Sequence, residues 1–208
     1  MKYYLSSFKV GNETSQLKDL VSKTSGMFGY IQNALDFTSA DPVRKAKHIQ
    51  DDMNDIRQYG VEIELLDLKD YFGKKDELKA KISTFGGLYV SGGNSFVLRQ
   101  AFQLSGLDEI LLSIQERDNF LYVAYSAGVC ILTPTLRPYA ITDNATDFPY
   151  KELQSQIWEG LGILDFAFEP HYQSDHPESK STDIEIQHCV DNKILFKAYR
   201  DGEVLILD

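Results

Sequence analysis

The chain has 208 residues, 43% of them hydrophobic and 25% charged, with a formal net charge of −10 at pH 7. That length and apolar content suit one domain spanning 1–208 with a substantial core, and no linker, repeat or low-complexity tract divides it. So acidic a balance argues against nucleic acid or an anionic membrane surface as partner, because neutralising phosphates needs clustered Lys and Arg. Two cysteines, Cys130 and Cys189, are too few for a disulfide framework and lack metal-ligand spacing. Both read as buried free thiols in a reducing compartment. "MKYYLSSFKV" carries no long apolar run, and no stretch approaches about 20 apolar residues, so a cytoplasmic protein is expected.

In chain order, 2–8 and 29–35 read as the first two strands. Asp41-Pro42 then opens a helix, an N-cap followed by proline at the first helical position. Val43, Ala46, Ile49, Met53 and Ile56 recur at steps of three and four and predict an amphipathic stripe ending at Gly60. Strand 61–68, helical "KKDELKAKI", strand 85–90, helical runs from 94 to 117 and strand 119–125 follow. Late strands are expected at 166–170, 194–199 and 203–207. Such alternation predicts an α/β fold with a mostly parallel sheet covered by helices on both faces. Function in such sheets gathers at the carboxyl ends of the strands.

Three stretches fall at those ends. In "VAYSAGVCIL" Ser126 follows a strand among small neighbours, Ala124, Ala127 and Gly128. Small residues permit the sharp strand-to-helix bend that raises a nucleophilic serine in G-x-S-x-G elbows, here with alanine in the first small position. A plain helix N-cap fits the same letters. "YVSGGNSFVLRQAF" turns through Gly92 and Gly93, which let a backbone approach a ligand and aim N–H groups at it. It lacks the ending of a P-loop, and Asn94 or Ser95 as a simple cap accounts for it equally. In "FAFEPHYQSDHPES" His171 sits at a strand end, placed to act as a base for a serine. His176 is the lesser candidate, and His48 and His188 read as surface or packing residues in helical segments. For the orienting acid, Asp201 in "RDGE" is the natural choice, although Asp-Gly is also a common turn pair. Asp165, Glu169 and Asp175 stand as substitutes.

With "SGGNSF", "YSAG", "PHY" and "RDGE" in place over nearly the whole chain, the sequence resembles the peptidase E family of aspartyl dipeptidases, to which cyanophycinases are related. The resemblance implies a three-layer α/β/α sandwich similar to class I glutamine amidotransferase domains and a Ser-His-acid triad. Carried over by motif, Ser126 is the nucleophile, His171 the base and Asp201 the acid, an aspartate where the dipeptidase has glutamate. Gly93 and Ala127 supply the oxyanion-hole amides. The family's "PTIR" segment appears here as "PTLR", which points to Arg137 as a substrate contact, with Asn94 beside it. The acidic position four past the arginine is Ile141, so Asp143 or Asp147 takes that role, and strict Asp-X specificity is not implied. A small-peptide hydrolase with no metal or organic cofactor is expected, as monomer or homodimer. Its rivals are a non-catalytic ligand-binding module of the same fold and an amidotransferase-like hydrolase using Cys130. Tyr139, Phe148 and Tyr150 are read as exposed aromatics for a pocket or a dimer contact.

Overall fold

A computed structural model describes residues 1–207. Its centre is a six-stranded sheet in the order β3-β2-β4-β5-β1-β8. The strands are β1 (Lys2–Ser6), β2 (Met27–Ile31), β3 (Glu62–Leu65), β4 (Gly87–Val90), β5 (Leu121–Tyr125) and β8 (Val204–Leu207). Five run parallel, and β8 closes the edge antiparallel to β1. Two further strands, β6 (Ala167–Glu169) and β7 (Phe196–Ala198), pair with each other and not with this sheet. The expected strands at 166–170 and 194–199 are therefore a separate two-stranded parallel ribbon.

Side-chain alternation divides the core into two. Along β5, Leu121, Val123 and Tyr125 face one side while Tyr122 and Ala124 face the other. The first side packs against helices α1 (Thr14–Ser22) and α2 (Pro42–Arg57) through Leu17, Leu20, Val21 and Ile56. The second side packs against α3 (Lys75–Ser83), α4 (Ser95–Ser105), α5 (Leu107–Ser113) and α6 (Ala127–Cys130) through Ile82, Phe102, Ile110 and Val129. The result is a three-layer α/β/α arrangement. A last helix, α7 (Ser179–Asp191), lies against the β6–β7 ribbon. No helix among the described residues is long and apolar enough to cross a membrane.

Several expectations need correction. Helix α1 carries only Leu17, Leu20 and Val21 inward, a stripe too short to stand out beside its polar residues. The helical runs expected from 94 to 117 are α4 and α5, which meet at Gly106 with φ +75° and stop at Ser113 rather than at 117. Strand β2 ends at Ile31, and a 3-10 turn Asn33–Leu35 follows where a strand to 35 was expected. The α2 stripe is buried only at its far end: Ile56 is covered, while Val43 remains 77% exposed. Tyr139 and Tyr150 are buried, their hydroxyls donating to Phe168 O and Asp36 Oδ2, so neither is a surface aromatic.

Candidate active site

Ser126 follows β5 directly and adopts φ +47°, ψ −119°, a conformation rare for a residue with a Cβ. Its carbonyl accepts from Val129 N and Cys130 N at 2.8 and 2.9 Å, which fixes the bend while the side chain stays half-buried at a cavity wall. The small neighbours are a steric requirement. A Cβ on Gly128 would lie 2.7 Å from Val90 O, and one on Gly92 would lie 2.7 Å from the Tyr125 ring. Helix α6, launched by the serine, has only four residues, so its macrodipole is small and individual amides matter more.

His171 follows β6 and Pro170, takes φ +62° and is 2% exposed. Its Nε2 lies 3.3 Å from Ser126 Oγ and its Nδ1 2.7 Å from Asp201 Oδ1. The three residues nominated from separate strand ends thus form one hydrogen-bonded line. Asp201 does not turn a hairpin. Residues 199–203 carry the chain from β7 in the ribbon to β8 at the edge of the main sheet, and this passage brings the carboxylate to His171. The substitutes are elsewhere: Asp165 and Asp175 are exposed, and Glu169 is buried beside Cys189 Sγ at 3.3 Å.

Ser7, which no motif marked, ties this line together. At the carboxyl end of β1, its Oγ accepts from His171 N at 2.8 Å and donates to Asp201 Oδ1 at 2.9 Å. His176 stacks on His171 with centroids 3.7 Å apart and planes 7° from parallel, and Phe8 presents an edge to both rings. Glu178 Oε2 approaches His171 Nε2 to 3.7 Å. Burial chiefly, then His176, lowers the His171 pKa, while Asp201 and Glu178 oppose the shift. His171, His176 and Glu178 offer ligand atoms within 4.8 Å of one another. The stacked rings point their lone pairs along nearly parallel planes, so as arranged they do not converge on a metal at about 2.0–2.1 Å.

The cavity over Ser126 has a volume of about 510 Å³. Gly93 forms part of its wall with φ +136°, and a Cβ there would lie 2.4 Å from Ala34 O. The hydrogen bonds from Ser91 N to Ile31 O and from Asn94 N to Ala34 O anchor this turn on either side. Asn94 lines the cavity, but its Oδ1 is engaged as the α4 cap, accepting from Phe96 N and Val97 N. Asp143 also lines it, accepting from Ser95 N at 2.8 Å, and desolvation pushes its carboxyl up to about 7. Arg137 is not brought to the cavity: it is exposed, with its guanidinium 4.9 Å above the Trp158 ring. Cys130 is buried, its thiol pushed well up by desolvation, which does not suit a nucleophile. His48, expected to be structural, lines the cavity while contacting Tyr125 Oη at 2.6 Å.

Fold and site together define an α/β/α protein with a serine, a histidine and an aspartate in hydrogen-bonded sequence at the carboxyl end of its parallel sheet. The model of Peptidase family S51 matches residues 16–207, and the chain belongs to that family. Among curated relatives, an uncharacterized peptidase of Listeria innocua is 30% identical over 99 residues, 48% of this chain and 45% of that one. Peptidase E of Streptomyces coelicolor is 34% identical over 100 residues, 48% of this chain and 37% of its own. In these matches the chain spans less than half the length of each relative. A Listeria monocytogenes EGD-e crystal structure, described as a candidate peptidase E, aligns with a TM-score of 0.72 at 20% identity, covering 99% of this chain and 97% of that one. A peptidase from an acI-B1 Actinobacterium aligns at 0.63 and 16% identity, covering 99% and 82%. At such identities the structural likeness speaks for the fold.

Proposed function

We propose that the chain is a serine-type peptidase that hydrolyses small peptides through an acyl-enzyme on Ser126. The observation that carries this reading is the imidazole of His171, lodged between Ser126 Oγ at 3.3 Å and Asp201 Oδ1 at 2.7 Å. His171 Nε2 takes the hydroxyl proton as Oγ attacks the scissile carbonyl, and Asp201 holds the tautomer that leaves Nε2 free. Negative charge then develops on the carbonyl oxygen. The amides of Gly93 and Ala127 are assigned to it: Ala127 opens α6 and has no intrahelical acceptor, and Gly93 takes a backbone shape that a side chain would block. Removing one such donor typically costs about 2.7–4 kcal/mol of barrier. Proton return from Nε2 releases the amine, and water, activated by the same ring, frees the acid. A cavity of about 510 Å³ suits a peptide of few residues. Of the substrate contacts drawn from the resemblance, Asp143 is retained, Asn94 acts first as a cap, and Arg137 is set aside.

The test is hydrolysis of a panel of di- and tripeptides by wild type and Ser126→Ala, with phosphonate labelling mapped by mass spectrometry. Loss of roughly 10⁴-fold or more in kcat, with label on Ser126, is expected. Equal turnover by the two proteins overturns the mechanism.

A further inference from the structure

The cavity over Ser126 continues past His48. A second hollow of about 240 Å³ shares Leu35, Phe37, Ser39 and His48 with it and runs to Arg44 and Lys45 in the first turns of α2. The two hollows differ in charge. Around Ser126 the wall carries the carboxyls of Asp143, Asp147 and Glu178 and, among the described residues, no lysine or arginine. One Asp147 oxygen accepts from Thr38 N at 2.9 Å, while the other is buried without a partner.

The second hollow carries two cations and the Asp41 carboxylate, which is engaged as the α2 cap, accepting from Arg44 N at 2.8 Å. Lys45 is paired with Asp36. The guanidinium of Arg44 has neither hydrogen bond nor ion pair among the described residues. An unpartnered arginine is ordinary on a surface. Here it stands at one end of a groove whose other end is the serine, with Leu35 and Phe37 as apolar wall between them.

An unblocked peptide is itself a dipole, ammonium at one end and carboxylate at the other. A groove acidic beside the serine and cationic at α2 favours one orientation of it. Resting on the peptidase reading, we propose that Arg44 forms a carboxylate subsite. Substrates are then short peptides with a free C-terminus, lying from Ser126 past Phe37 and His48 with the leaving-group side toward α2. The planar guanidinium matches the two carboxylate oxygens in a way a lysine does not. Cleavage is measured from the C-terminus, so activity should show an optimum in the number of residues beyond the scissile bond.

The experiment compares kcat/KM for matched peptides ending in a free acid or an amide. The proteins are wild type, Arg44→Gln, and Lys47→Gln as a control whose charge lies on the same helix but outside both hollows. Wild type is expected to prefer the acid by about tenfold, mainly through KM, with the preference shrinking as salt rises. Arg44→Gln should bring the ratio to about one, and Lys47→Gln should preserve it. Calorimetric binding of the same pairs to Ser126→Ala separates the two claims. Acid-selective binding to Ser126→Ala that is lost when Arg44→Gln is added, together with no cleavage of any peptide by wild type, supports the subsite and removes the peptidase reading. Hydrolysis with an acid-to-amide ratio unaffected by Arg44→Gln removes the subsite and keeps the peptidase. No binding of any peptide overturns both.

Discussion

His171 is held from every side: His176 stacked on its face, the edge of Phe8 against it, Ser7 on its amide, Asp201 on Nδ1 and Glu178 near Nε2. In the proposed mechanism only a neutral ring accepts the serine proton, so a lowered pKa would extend activity toward acid pH. Replacing His176 by phenylalanine keeps an aromatic neighbour and removes its positive influence. The acid limb of the kcat/KM–pH profile should then move to higher pH; a limb that stays in place would reduce His176 to packing. Ser7→Ala should leave His171 N–H buried without an acceptor and take one donor from Asp201. About 1–3 kcal/mol of stability should be lost in urea titration, together with a lower kcat. Ser126, His171 and Asp201 were legible because each sits in a short local pattern at the end of a strand. Ser7 was not, because its partner lies 164 residues away and nothing in "SSF" encodes that meeting.

At the scale of elements, α2 is fastened to the sheet by a carboxylate inside its own apolar stripe. Asp52 is fully buried, with Tyr30 and Tyr125 hydroxyls donating to Oδ2 at 2.7 Å each, Lys9 paired to Oδ1 and His48 Nε2 at 3.3 Å. Tyr125 precedes Ser126, so the same contact steadies the bend there. Asp52→Ala removes the carboxylate that the Tyr30 hydroxyl, the Tyr125 hydroxyl and Lys9 share, leaving Tyr125 only its His48 contact, and a loss of about 3–5 kcal/mol is expected on denaturation. Burial acts to raise the Asp52 pKa, but His48 and Lys9 outweigh it and hold the pKa below 3.8. Its stabilisation is therefore present above that value and lost as pH falls through the folded pKa. Wild type and Asp52→Ala should converge in stability in strong acid. The α2 periodicity was visible in the letters. Asp52 as an anchor was not, since an aspartate at position 52 reads as a break in the stripe until Tyr30 and Tyr125 are seen beneath it.

Across the whole molecule, carboxyls from three distant segments converge beneath the site: Asp143 from the loop after α6, Glu169 from β6 and Glu185 from α7. Desolvation raises all three, and proximity to Glu169 raises Glu185 further. Groups with raised carboxyl pKa values bind more protons folded than unfolded, so stability falls as pH rises from their unfolded values through their folded ones. Tm should decline between about pH 5 and about pH 8. Glu185→Gln, which stays neutral while keeping the shape, should flatten that decline. An unchanged slope would place the pH dependence in the surface charge of −10 instead.

What the sequence determined by itself was the layering and the strand-end positions of Ser126, His171 and Asp201. Strand and helix periods, turn glycines and the residues tolerated beside Ser126 are local steric facts, readable without knowing what lies opposite. The tertiary structure decided who meets whom. It led residues 199–203 from one sheet to another and so delivered Asp201, it placed Ser7 and His176 on His171, and it took Arg137 away to Trp158. Such meetings depend on strand order and on packing between segments far apart in the chain, and no short window of sequence contains both partners.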